Sequence, residues 1–165
     1  MIRILLVATA LFADANPCAF CREEVLEAQV FYTGEQSLAL LSYKPVLPGH
    51  ILVIPKRHVE RFEDLTEAEM TDMQRTIQKV DQAVRRLYGY KDYLLLEKNG
   101  PDAGQSVPHV HFHYIPGAQF LTIRFILSDW WPALSADQMR VLKQDLAESI
   151  SKLPSTPSNL PSNSF

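Results

Sequence analysis

The sequence predicts an α+β domain: one antiparallel sheet with a long helix packed on a face and a second helix near the C-terminus. Three observations predict it. Five short stretches have strand composition and period: Gln29–Thr33, Ser37–Tyr43, His50–Pro55, Asp92–Glu97 and the run from His109 to Pro116. Met70, Met73, Ile77, Val80, Val84 and Leu87 recur at three- and four-residue steps, the period of an amphipathic helix. At 165 residues, 47% hydrophobic and 21% charged, the chain suits one domain with a real core.

In order along the chain, Met1–Ala15 carries Arg3, a short apolar run and Ala13-Asp14-Ala15, the form of a secretory signal peptide or of an N-terminal strand. It is too short to span a membrane, and no later segment qualifies. The domain proper is expected over residues 17–153. Pro17 to Glu27 holds a C-x-x-C and a helical turn or more. Gly34-Glu35 joins the first two strands, and Pro45, Pro48 and Gly49 make a turn. His50–Pro55 is a continuous apolar run, as a strand buried on both faces requires. Thr66-Glu67-Ala68-Glu69 is a capping box that opens a helix of about six turns, and Gly89 stops it. Phe120–Leu127 reads as a strand and Trp130-Trp131-Pro132 as an aromatic turn. Ser135-x-x-Gln138 is a second capping box, before Met139, Leu142, Leu146, Ile150 and Leu153. Residues 154–165, rich in Ser, Pro and Asn, read as a disordered tail.

The stretch with the most chemistry is Gly104–Pro116, GQSVPHVHFHYIP. Alternate residues of a strand point to opposite faces. His109, His111 and His113 therefore share one face, Val110, Phe112 and Tyr114 the other, and Pro108 suits the first strand position. Aligned imidazoles can bind a metal, or handle phosphate as nucleophile and hydrogen-bond donors. A single ion held by all three is disfavoured, because the outer pair lie about 13 Å apart at Cα at ~3.3 Å per residue. Cys18 and Cys21 form a redox dithiol, a disulfide, or half of a metal site. The net charge of −3, without a basic cluster, argues against a nucleic-acid surface.

The run His109-Val110-His111-Phe112-His113-Tyr114-Ile115 resembles the signature of the histidine-triad (HIT) superfamily of nucleotide hydrolases and transferases. Ala103–Val107 and Pro45–Lys56 resemble the family's flanking blocks, and the likeness runs from about Cys18 to Pro116. His113 differs from the Gln usual there in the galactose-1-phosphate uridylyltransferase branch. The resemblance implies a half-barrel sheet and a homodimer. It implies that His111 is the nucleophile attacking the α-phosphorus of a nucleoside phosphoramidate, phosphoanhydride or dinucleoside polyphosphate, with His113 donating to phosphate or leaving group. It implies phosphate contacts from Gln105, Ser106 and either Lys98 or Asn99. Ser42 stands where the family often carries Asp or Asn for the ribose, and Gly117 where Arg commonly follows the triad. The zinc-bearing members imply a closed structural zinc site made of Cys18, Cys21, His58 and His109. The competing expectations are a nucleotide-binding module without catalysis and a His-ligated metal enzyme. Family habit places the protein in the cytoplasm, and a cleaved leader would place it outside.

Overall fold

The computed structural model describes residues 18–118 and 131–154. The leader-like segment, the strand expected at Phe120–Leu127, Trp130 and the tail from residue 155 onward lie outside the described residues.

Five strands form one open antiparallel sheet in the order β1-β2-β3-β5-β4. They are β1 Val30–Thr33, β2 Ser37–Leu41, β3 Ile51–Pro55, β4 Tyr93–Glu97 and β5 Phe112–Pro116. Among the described residues the α-helices are α1 Glu23–Gln29, α2 Glu67–Tyr88 and α3 Ala136–Ser151. Every residue of β3 is buried, as its unbroken apolar run predicts. Its alternation feeds two cores. Ile51 and Val53 join Ala39, Leu41 and Tyr114 against Met73, Ile77, Val80 and Val84 of α2. Leu52 and Ile54 face the other way, onto Leu40, Phe20 and Cys18.

Helix α2 begins at the predicted capping box. Thr66 Oγ1 accepts from the Glu69 amide at 3.2 Å, and Glu69 Oε2 accepts from the Thr66 amide at 2.8 Å. Arg57 then grips both oxygens of Glu69 at 2.8 Å. That fork ties the segment leaving β3 to the start of α2 and places the neighbouring His58. The Arg57 hydrogen bond, which outweighs burial, holds the Glu69 carboxyl down at about 2. Gly89 ends the helix in the left-handed region, φ 72°. Helix α3 starts at the second capping box, and its Met139 and Leu146 complete the α2-side core.

The triad stretch departs from the expected strand in one respect. The ladder begins only at Phe112, so Pro108 lies in a bend ahead of it rather than at its first position. Hydrogen bonding gives the reason. The Val110 amide donates at 2.7 Å to Val59 O and the His109 amide at 2.8 Å to Val107 O. Val110, between the first two histidines, is thus pinned to the segment after β3, and His109 to its own chain two residues back.

Candidate active site and metal centre

Two sites share the triad stretch. The first gathers Cys18, Cys21, His58 and His109, whose ligand atoms all lie within 4.8 Å of one another. A single turn of 3₁₀ helix, Ala19–Cys21, brings both sulfurs to one side, with the Cys21 amide donating to Cys18 O at 3.1 Å. The two sulfurs are not joined as a disulfide. His109 Nδ1 lies 3.5 Å from Cys18 Sγ and 3.7 Å from Cys21 Sγ, and His58 Nδ1 lies 3.4 Å from Cys21 Sγ. A tetrahedron built with zinc–sulfur and zinc–nitrogen bond lengths has edges of about 3.3–3.8 Å. These separations match it.

The surroundings of His109 suit a ligand. Its Nε2–H donates to Pro55 O at 3.0 Å, which leaves the lone pair on Nδ1, toward the sulfurs. Burial drives its pKa down to about 4, so the ring is neutral, as a metal ligand must be. His58 Nε2 approaches Glu60 Oε1 at 3.4 Å, the same outer-shell arrangement with a carboxylate. Four protein donors close such a site and leave no position for substrate.

The second site is a cleft of about 360 Å³, into which His50, His111 and His113 open beside Ser42, Lys98 and Ser106. His111 is buried, and Phe20 packs edge-on against its ring at 5.3 Å between centroids. Its Nδ1–H donates to His109 O at 2.7 Å, so Nε2 holds the lone pair. The backbone carbonyl of one site therefore fixes the reactive tautomer of the other.

His113 is oriented by a residue whose role the sequence did not disclose. The Val46 amide donates to His50 Nδ1 at 3.1 Å, which makes that nitrogen an acceptor. His50 Nε2 then carries the proton and donates to His113 Nδ1 at 3.0 Å. By elimination His113 Nε2 carries a hydrogen, and this buried atom has no partner within the protein. Burial is the main cause that lowers His50 to about 4 and His113 to about 2, and it lowers His111 as well. All three rings are neutral at physiological pH.

Ser42, Lys98 and Ser106 line the cleft, as expected of substrate-contacting residues. Asn99 and Gln105 do not. The Asn99 amide accepts from the Phe62 amide and donates to Glu63, at 2.9 and 2.7 Å. Gln105 accepts from the Gly100 amide at 2.8 Å and donates to Glu60 O at 3.0 Å. Both side chains brace the loop around Gly100, whose φ of 100° and close approach to Arg61 suit only glycine. The triad imidazoles do not converge on one ion. Nδ1 of His109, His111 and His113 face, respectively, the cysteines, a carbonyl and His50. The register of the sheet explains the placement of His50. Leu52 pairs with His113, so His50, two residues earlier, lies on the same sheet face.

The cleft thus holds a neutral, backbone-tethered histidine beside a second histidine whose Nε2–H is buried and without a partner. The chain belongs to the HIT domain family, whose profile matches residues 23–120. It is 46% identical over 89 residues to the asymmetrical bis(5'-nucleosyl)-tetraphosphatase of Schizosaccharomyces pombe, covering 54% of this chain and 49% of that protein. It is 42% identical over 96 residues to the bis(5'-adenosyl)-triphosphatase of Dictyostelium discoideum, covering 58% and 64% respectively. The chain thus spans from about half to just under two thirds of these two relatives. Among solved structures it is similar to a Zn-bound histidine triad family protein from Mycobacterium smegmatis. That match has a TM-score of 0.62 and 27% identity, over 82% of this chain and 96% of the other.

Proposed function

We propose that the protein is a nucleotide hydrolase that cleaves at the α-phosphate through a nucleotidyl intermediate on His111. The observation that carries this reading is the pairing of two tautomers: His111 offers a lone pair at Nε2, and His113 offers a hydrogen at its own Nε2. His111 Nε2 attacks the α-phosphorus, the bond to the leaving group breaks, and its electron pair departs with that group. His109 O stabilises the resulting imidazolium through Nδ1–H, while His113 donates a hydrogen bond to the phosphate. Water then cleaves the phosphorus–nitrogen bond, releasing the nucleoside monophosphate and restoring neutral His111. Transfer to another acceptor follows the same path with that acceptor in place of water. The names of the two relatives support the phosphoanhydrides of dinucleoside polyphosphates as substrates.

Zinc is the proposed occupant of the Cys18–Cys21–His58–His109 cluster, supported by three of its separations, which match the edges of a tetrahedron. Bound there, it supplies a structural cross-link and no chemistry on substrate. A homodimer through β4, which is an edge strand among the described residues, is supported by Tyr93 and Leu95, 40% and 41% exposed. No helix among the described residues is long and apolar enough to cross a membrane.

Steady-state hydrolysis tests the reading. Wild-type protein should convert diadenosine triphosphate to AMP and ADP. His111→Asn, which keeps size and polarity, should fold and lose at least about a hundredfold in kcat. A folded His111→Asn protein with wild-type turnover ends the covalent mechanism.

A further inference from the structure

We propose that Lys98 sets leaving-group specificity: it selects substrates in which the group displaced from the α-phosphorus is an anionic phosphate chain, over those that release a neutral amine. The proposal rests on the nucleotide reading above and narrows its substrate class.

The sheet register places the lysine. Leu94 pairs with Ile115 and Leu96 with His113, so these side chains share a face. One more step along that face brings Lys98 opposite His111, just past the end of the ladder. Lys98 lines the cleft together with both histidines, and its charge is felt by His50, His111 and His113 alike. Among the described residues that line the cleft, Arg22, Lys44 and Lys98 are cationic and none is acidic. The chain as a whole has a net charge of −3, so the positive field is local.

Hydrogen-bond accounting supplies the second half of the argument. The Val46 amide commits His50 Nδ1 as an acceptor, which commits His50 Nε2–H toward His113 Nδ1. A second proton on His113 would set two N–H groups face to face across 3.0 Å. His113 therefore gives a hydrogen bond and does not hold a proton to surrender. An amine must gain a proton as its phosphorus–nitrogen bond breaks, because an amide anion is far too basic to leave. A phosphate chain needs none. Its bridging oxygen keeps the electron pair of the broken phosphorus–oxygen bond, and what it needs is positive charge. Lys98 supplies that charge in a partly enclosed cleft, where it acts more strongly than in bulk water.

The test compares kcat/KM for diadenosine triphosphate and adenosine 5'-phosphoramidate in wild type, Lys98→Gln and Lys98→Arg, at low and high salt. Wild type should prefer the polyphosphate. Lys98→Gln should reduce that preference at least about tenfold and flatten the salt dependence of polyphosphate cleavage, while Lys98→Arg retains most of both. Equal loss on both substrates in Lys98→Gln, or a preference that survives the substitution, overturns the proposal. So does a wild type that cleaves the two substrates equally well, an outcome that leaves the nucleotide hydrolase reading intact. Cleavage of neither substrate overturns that reading, and the specificity proposal with it.

Discussion

At the scale of the residue, the site works by committing nitrogens. Each triad ring that lines the cleft has one nitrogen tied inside the protein: His111 to a carbonyl, His113 to His50. Burial keeps His113 and His50 neutral, at about 2 and about 4 against a usual 6.5. The unfolded chain thus binds protons that the folded chain refuses, and stability falls on acidification from about pH 6.5 toward 4. The melting temperature should drop across that window, and His50→Asn should flatten the slope. A melting temperature independent of pH there would contradict neutral, buried rings. The period-two spacing of the triad was legible because it needs only a strand's alternation. His50 was not, since its role depends on Leu52 pairing with His113, a register no local pattern specifies. The choice between Lys98 and Asn99 was closed to the sequence for the same reason. Parity along β4, counted from Leu96, puts Lys98 on the cleft face.

At the scale of the element, β3 and the segment after it organise both sites. Pro55 O receives His109, Arg57 locks onto Glu69, His58 joins the cysteines, and Val59 O receives the Val110 amide. The capping box was readable from Thr66 and Glu69. Its capture by Arg57 was not, because that contact joins a loop to a helix across a sequence separation of 12. Glu69 is held near 2 against a usual 4.5, so its contribution is complete above about pH 4.5 and is lost as pH falls toward 2. Glu69→Ala removes cap and ion pair together and should cost about 1–3 kcal/mol, read by denaturant unfolding at neutral pH. Glu69→Gln keeps the capping acceptor but not the charge and should lose less. Equal loss in the two variants would mean that Arg57 contributes nothing beyond the cap.

At the scale of the whole molecule, the Cys–His cluster joins the N-terminal turn, the end of β3 and the triad stretch, across a sequence separation of up to 91 residues. Closing so long a loop costs the unfolded chain little more than closing a short one. With zinc bound, binding free energy becomes folding free energy. Purified protein should contain about one zinc per chain. Chelation, or Cys18→Ser, should lower the melting temperature, with activity falling alongside stability rather than ahead of it. Activity lost from a fully folded, zinc-free protein would instead give the metal a place in the chemistry. The fold class followed from periodicity alone, because β3's continuous burial and α2's stripe are local patterns with one packing solution. The assembly of the cluster did not follow from the C-x-x-C, which fits a disulfide equally well until the triad stretch is seen bent against Pro55 and Val59.

The central claim is a covalent bond to one nitrogen of one residue. Rapid quenching of wild-type protein with diadenosine triphosphate, followed by peptide mass spectrometry, tests it most directly. The account predicts an adenylyl group on the peptide containing His111, acid-labile as a phosphorus–nitrogen bond is, and absent from His111→Asn. Turnover with no adduct on any histidine, or an adduct on His113 that persists in His111→Asn, would contradict it.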